Sequence, residues 1–318
     1  MTAVDHPPTG WSGRDDGPGA AHLRWHNAIT PFVRESPPGA SVLVGFRSDE
    51  GVRRNKGRTG AARGPATLRQ ALASLALPGP TRIMDAGDMA VEDGDLESGQ
   101  ERLGRTVTAL LDRGHMVTVL GGGHEVAYGS YLGVSRSAAV RAGARWGVLN
   151  LDAHFDLRGD EIPSSGTPFR QMAEGEAAAG RVLNYSVLGI SQPSNTVALF
   201  ETAATLGVRY RLDEDCTIAD LAGVREFVAD FLAAVDVVYL TIDLDVLPAA
   251  VAPGVSAPAA FGVPVEVIQR VCDEVASSGK LAVLDVAELN PDLDVDNRTA
   301  RTAARLIHRI VAQRRELQ

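Results

Sequence analysis

With 318 residues and a net charge of −9, the chain can bury a sizeable core and is too acidic overall to present a nucleic-acid surface, which needs clustered Lys and Arg. Hydrophobic residues at 45% and charged residues at 22% are ordinary for a soluble protein, and no apolar stretch is long enough to span a bilayer. Only Cys216 and Cys272 are present, without CxxC spacing, which argues against a disulfide framework or a thiolate zinc site and places the chain in a reducing cytoplasm.

Residues 1–20 are rich in Gly, Pro and Asp, lack the apolar core of a signal peptide, and are expected to form a disordered tail. Residues 40–46 read as a buried strand, the Gly- and Arg-rich stretch 51–64 as a loop, and Pro65 as the first turn of a helix reaching residue 75. Apolar, β-branched runs then predict strands at 82–86, 116–120, 147–151, 186–190, 237–242 and 281–286. Helical patterns fall between or after them, at 95–113, 125–142, 169–180, 218–234, 265–277 and 299–315. Strand and helix alternate almost throughout, the pattern of an α/β fold with a mostly parallel sheet covered on both faces. No repeat or Pro/Ser-rich linker divides the chain, so residues 21–318 are expected to form one catalytic domain.

Three short islands follow three of those strands: Gly121-Gly122-Gly123-His124, Asp152-Ala153-His154-Phe155-Asp156 and Asp243-Leu244-Asp245. In an open parallel sheet, strand ends form the crevice where ligands bind. Asp152, His154 and Asp156 have period-two spacing, which turns three side chains to one side of an extended segment. One such Asp alone would be a helix cap, and one His a satisfied loop residue. Four carboxylates and two imidazoles converging in one crevice would repel without cations, so the set reads as a site for two divalent ions. Such a pair can make a nucleophile from water at neutral pH. Neither GxGxxG nor GxxxxGKS is present, which disfavours a phosphate cradle around the glycines.

Taken together, Gly121 to Glu125, Asn150 to Asp156, Ser165-Gly166-Thr167-Pro168-Phe169-Arg170, Thr241 to Asp245, Glu288-Leu289-Asn290-Pro291 and the stretch Asn55 to Pro65 resemble the ureohydrolase family of arginase, agmatinase and formimidoylglutamase. The resemblance runs from Gly51 nearly to the C-terminus. It implies a three-layer α/β/α, arginase-like fold and two Mn²⁺ per subunit. Carried over by position, His124 and Asp156 would hold one ion, His154 and Asp245 the other, with Asp152 and Asp243 bridging. The family commonly forms trimers or hexamers, which implies a homo-oligomer acting on a small molecule.

Arginase and agmatinase carry a His before the Gly-x-Pro segment; here that place is Ser165, and a hydroxyl cannot replace an imidazole as a proton carrier near neutral pH. The Ser-Gly-Thr-Pro-Phe run resembles the formimidoylglutamase branch, so the expected reaction is hydrolysis of N-formimidoyl-L-glutamate to L-glutamate and formamide. Glu288 would accept N–H groups of the cationic amidine, and Asp156 would carry the released proton. Arg158 offers a bidentate contact to a substrate carboxylate, with Arg58 and Arg170 as further candidates; the bland reading of Arg158 is a solvated loop residue or a partner of Asp160. Two alternatives stand beside this one. The first is a ureohydrolase acting on a guanidino acid such as guanidinobutyrate or arginine, against which Ser165 speaks. The second is a metal-binding regulatory protein without turnover, against which the full ligand set speaks.

Overall fold

A computed structural model of the chain describes residues 4–79 and 81–314. Its strands are β1 (Thr30–Pro31), β2 (Ser41–Arg47), β3 (Ile83–Ala90), β4 (Met116–Leu120), β5 (Trp146–Leu151), β6 (Asn184–Ile190), β7 (Arg209–Leu212), β8 (Val237–Asp243) and β9 (Leu281–Ala287). They form one parallel sheet in the order β1-β3-β2-β4-β9-β8-β5-β6-β7. The chain lays down β1 to β4 on one side, ending at β4, crosses to β5 and builds outward through β6 and β7, then returns to fill the gap with β8 and β9. That reversal is a topological switch point, and it sits in the middle of the sheet.

Period-two alternation along the strands sorts the apolar side chains into two cores, one per face. Leu43, Leu149, Leu151, Val238, Leu240 and Ile242 face one core, which is closed by helices Gly64–Ala73, Leu221–Ala234, Val265–Ser277 and Arg298–Gln313. Val42, Val44, Phe46, Val148 and Tyr239 face the other, under helices Leu96–Leu111, Val126–Ser135 and Pro168–Ala178. Each fully buried Leu or Val contributes roughly 1.5–3 kcal/mol by leaving water, and such contributions hold the central strand ends in place. Among the described residues, no helix is long and apolar enough to cross a membrane.

The structure departs from the sequence reading in five places. Strands β1 and β7 were not expected, because a two-residue edge and the exposed Arg209–Leu212 carry no apolar run. The helix Val197–Thr205 was also missed; it buries only Ala203 and so shows no clear core stripe. Residues 51–64, expected as a loop, contain most of the short helix Glu50–Arg54 and the 3₁₀ turn Ala61–Arg63. The helix expected at 125–142 is broken, because Ser137 caps a second helix, Ala138–Arg141, accepting from Val140 N at 3.5 Å. The expected helix end at Arg315 lies outside the described residues, as do residues 1–3 of the expected tail.

The rest of that tail is the fifth departure. Asp5 N and His6 N donate to Asp88 O, and Trp11 stacks on Trp25 with ring centroids 6.2 Å apart. Trp11 Nε1 also donates to Asp85 Oδ2 at 2.8 Å, completing a buried ion group in which Arg69 bonds Asp85 and Asp88. Residues 5–11 therefore dock against the sheet edge, which corrects the expectation of disorder there; composition flagged Gly and Pro and overlooked a single large aromatic with a built socket.

Candidate metal centre and active site

Register places the three islands side by side. Leu120, Val286, Ile242 and Leu151 lie opposite one another across β4, β9, β8 and β5. The following row is therefore Gly121, Ala287, Asp243 and Asp152, and one or two steps beyond it come Glu288, Asp245 and His154. The triple glycine is needed for this approach: a Cβ on Gly122 would stand 1.7 Å from the Ser48 carbonyl oxygen, while Glu288 N donates to Gly122 O at 2.8 Å.

Nδ1 of His124 lies 3.1 Å from Asp152 Oδ2, 3.0 Å from Asp156 Oδ2 and 3.1 Å from Asp243 Oδ2. Nδ1 of His154 lies 3.1 Å from Asp245 Oδ2 and 3.5 Å from Asp152 Oδ1. These make two clusters, His124 with Asp152, Asp156 and Asp243, and Asp152 with His154 and Asp245, sharing Asp152. His124 Nδ1 is buried and has no hydrogen-bond partner, although three carboxylate oxygens surround it. A donor atom that converges with acidic oxygens without bonding any of them fits a ligand to a shared cation. His, Asp and no Cys is the donor chemistry of a hard or borderline divalent ion.

The remaining atoms of the ligands are pinned. Asp152 accepts from Asn150 Nδ2 at 2.9 Å and from His154 N at 2.7 Å; Asp243 Oδ1 accepts from Asp245 N at 2.9 Å. Asn195 bonds the backbone of both Ala153 and Phe155, bracing the loop that carries His154 and Asp156. Phe169 packs edge-on to His124 at 5.4 Å and stacks on Tyr185 at 4.5 Å.

Burial dominates the electrostatics. It pushes Asp156 up to about 6, with the Asp152 charge adding to the effect. Burial and the neighbouring Asp245 and Asp152 raise Asp243 well above the usual carboxylate range. Asp152 goes the other way: burial opposes its charge, but the close His124 and His154 imidazoles outweigh that and hold it low. Both imidazoles are raised well above 6.5, because the surrounding carboxylates outweigh the burial that opposes their charge. The cluster attracts positive charge, and two divalent cations supply it without protons.

The clusters open into a cavity of about 310 Å³. Of the residues singled out in the sequence, His124, His154, Asp156, Asp243, Asp245, Glu288, Arg158, Ser165 and Arg58 line it. Asp152 lies fully buried behind them. Arg170 does not reach the cavity: it pairs with Glu174 at 2.6 Å on the helix Pro168–Ala178 and lines a separate surface groove. Arg58 is at the rim, but its guanidinium donates to the carbonyls of Val255 and Ser256 at 2.8–3.0 Å. Arg158 makes no ion pair with Asp160 or any other described residue, and its stem packs on Gly166, where a Cβ would meet Arg158 Cδ at 2.8 Å. Ser165 is nearly buried and its Oγ accepts from Asn55 Nδ2 at 3.1 Å.

Glu288 Oε1 accepts from His124 N at 2.8 Å. Burial, then the nearby Glu125 charge, push its pKa up to about 8. Lys56, Asn55, Asn195 and Ser256 also line the cavity and were not singled out in the sequence. For Asn195 a signal existed: β6 ends at Ile190, and a strand end in a parallel sheet points its loop at the same crevice.

The sequence pattern of the arginase family matches residues 40–312. Formimidoylglutamase of Rhodococcus jostii is 66% identical, covering 97% of this chain and 96% of its own length. That of Chromobacterium violaceum is 51% identical, over 93% of this chain and 95% of its own. Among solved structures, Bacillus subtilis formimidoylglutamase superposes with a TM-score of 0.80 at 22% identity, covering 91% of each chain, a likeness of fold. Trypanosoma cruzi formiminoglutamase with Mn²⁺ superposes with a TM-score of 0.74 at 26% identity, over 86% of this chain and 94% of its own.

Proposed function

The chain belongs to the arginase family, and from that premise we propose that it hydrolyses N-formimidoyl-L-glutamate to L-glutamate and formamide with two Mn²⁺ held by the clustered ligands. The observation that carries this reading is one cavity in which both ligand clusters, the Glu288 carboxyl and the unpaired Arg158 stand together. His124 and Asp156 would hold one ion and His154 and Asp245 the other, with Asp152 and Asp243 shared. When bound, the ions would supply a water-derived nucleophile at neutral pH.

The chain's own residues do the rest. Glu288 faces the amidine and accepts its N–H groups, so the cationic carbon is held against the clusters. A C–O bond forms at the formimidoyl carbon, and the bond from that carbon to the glutamate nitrogen breaks. The departing nitrogen needs a proton; Asp156, whose carboxylate faces the cavity, takes one from the attacking water and passes it to that nitrogen. Arg158 holds a substrate carboxylate in its fork. Both cysteines are free and buried, which supports a cytoplasmic setting.

The guanidino-acid alternative is disfavoured by Ser165, whose hydroxyl is engaged by Asn55 and leaves no imidazole at that place. Mn²⁺-loaded protein incubated with N-formimidoyl-L-glutamate, arginine, agmatine and guanidinobutyrate decides between them. Formamide from the first alone is the expected result. Urea from a guanidino compound without formamide would overturn the assignment, and two bound ions with every substrate inert would favour a non-catalytic metal-binding protein.

A further inference from the structure

Among the described residues, five that are not glycine hold a positive φ: Lys56, Asp156, Glu288, Asp296 and Asn297. Asp296 and Asn297 form the turn into the helix Arg298–Gln313. The other three line the cavity that holds the ligand clusters. A left-handed backbone at a residue with a Cβ is costly, and it persists where a particular side chain is required. Asp156 at φ 49° and Glu288 at φ 69° already have roles in the proposed reaction. Lys56, at φ 61°, has none so far.

Lys56 follows the helix Glu50–Arg54 and its cap residue Asn55. Gly57 N donates to Val52 O at 2.8 Å and Lys56 N to Arg53 O at 3.0 Å, the paired bonds of a Schellman ending. In that motif the position of Lys56 is normally glycine, so the backbone asks for one residue and the chain supplies another. The Lys56 side chain is exposed and makes no ion pair or hydrogen bond with any described residue. Arg58, its near neighbour, spends its donors on carbonyls. The cavity therefore offers two cationic side chains free to meet a ligand, Lys56 and Arg158.

Their supports are tied together. Asn55, next to Lys56, donates to Ser165, and Arg158 N donates to Gly166 O at 2.9 Å. Ser165 and Gly166 thus fix both cation-bearing loops to one point of the rim. N-formimidoyl-L-glutamate carries two carboxylates, and two positive groups on one braced rim match them in number and sign. We propose that Lys56 is a specificity-determining residue that holds one carboxylate of a diacid substrate while Arg158 holds the other. The proposal rests on the function assigned above.

Lys56→Gly tests it, because glycine suits the backbone there and the fold is kept. Turnover is measured on N-formimidoyl-L-glutamate and on two monoacids, N-formimidoyl-4-aminobutyrate and N-formimidoyl-L-2-aminobutyrate, each lacking one carboxylate. The expected result for the diacid is a KM about tenfold higher with kcat within about twofold, since a charge-assisted contact remote from the bond is lost. Tm should be unchanged or higher. For one monoacid, the one that lacks the carboxylate held by Lys56, variant and parent should have equal KM. An unchanged KM for the diacid, or the same rise with all three compounds, overturns the proposal while the function stands. If the Mn²⁺-loaded parent releases no formamide from N-formimidoyl-L-glutamate, the assigned function falls and this inference with it.

Discussion

Nε2 of His124 stands 3.0 Å from the Thr241 hydroxyl, while Nδ1 of the same ring faces the carboxylates. Thr241 lies opposite Asp285 in the β8–β9 register, and that carboxylate also accepts from Ser130 at 2.7 Å and Tyr239 at 2.5 Å. The Asp285 carboxylate, with its hydroxyl neighbours Thr241, Tyr239 and Ser130 as donors, draws the Thr241 proton; with Thr241 as acceptor from His124 Nε2–H, the Nδ1 lone pair is left for a cation. Thr241→Val keeps the shape and removes the acceptor. Metal affinity is expected to fall about 10–100-fold, read by competition of the apo-protein with a fluorescent chelator for Mn²⁺. An unchanged affinity would show that the tautomer is set elsewhere.

Metal loading should stabilise the fold strongly, because Asp152, Asp243 and Asp245 are buried and Asp156 is partly buried beside them at one end of the sheet. A ligand that binds only the native state at about 100 times its Kd adds about 2.7 kcal/mol. After dialysis against EDTA, Tm is expected to drop by several degrees and to return on adding Mn²⁺. Asp243→Asn removes one of the charges between the clusters, so its Tm should respond weakly to Mn²⁺ and its turnover should be lost. A full Mn²⁺ response in that variant would remove Asp243 from the ligand set.

The residues of the two clusters were legible because each is announced locally, by an apolar run followed by polar residues at period two or, for His124, by three glycines. What the sequence could not display is strand order. Nothing near Glu288 states that β9 lies between β4 and β8, yet that placement brings its carboxyl against His124 N. The rim was read less well for a related reason. Arg58, Arg158 and Arg170 look alike as letters, and only their neighbours separate a carbonyl clamp, a free cation and a helix-surface ion pair. Lys56 was overlooked because its signal is a backbone angle at a helix end. Trp11 was overlooked because its socket, Trp25 and Asp85, is remote in sequence.

Glu288→Gln separates charge from shape at the position proposed to face the amidine. The carboxamide oxygen can still accept from His124 N, so the backbone bond at 2.8 Å is preserved. Burial and the nearby Glu125 charge push Glu288 up to about 8, so near neutral pH the free site already holds it largely uncharged, and Tm should hold in the variant. kcat/KM for the amidine substrate is expected to fall about 10²–10³-fold, the range for losing one electrostatic contact to the reacting group. Activity within threefold of the parent would assign amidine recognition to another residue.

His115, at the far end of β4 from the His and Asp clusters, gives the fold an acid-sensitive point. It is fully buried, both ring nitrogens lack partners among the described residues, and Phe32 packs edge-on at 5.5 Å. Burial, then the charges of Arg113, Arg314 and Arg82, lower its pKa below 6.5. Above the unfolded pKa of about 6.5 the ring is neutral in both states and stability is unaffected. As pH falls below that value the unfolded chain binds the proton first, so stability declines until the folded pKa is reached, by at most about 1.4 kcal/mol per pH unit. Urea unfolding at pH 7.5 and pH 5.5 should therefore show a larger acid loss for the parent than for His115→Leu. Groups of the metal centre titrate in both proteins, so the difference between the two isolates His115. Equal losses would mean that the ring takes up its proton in the folded state as readily as in the unfolded one.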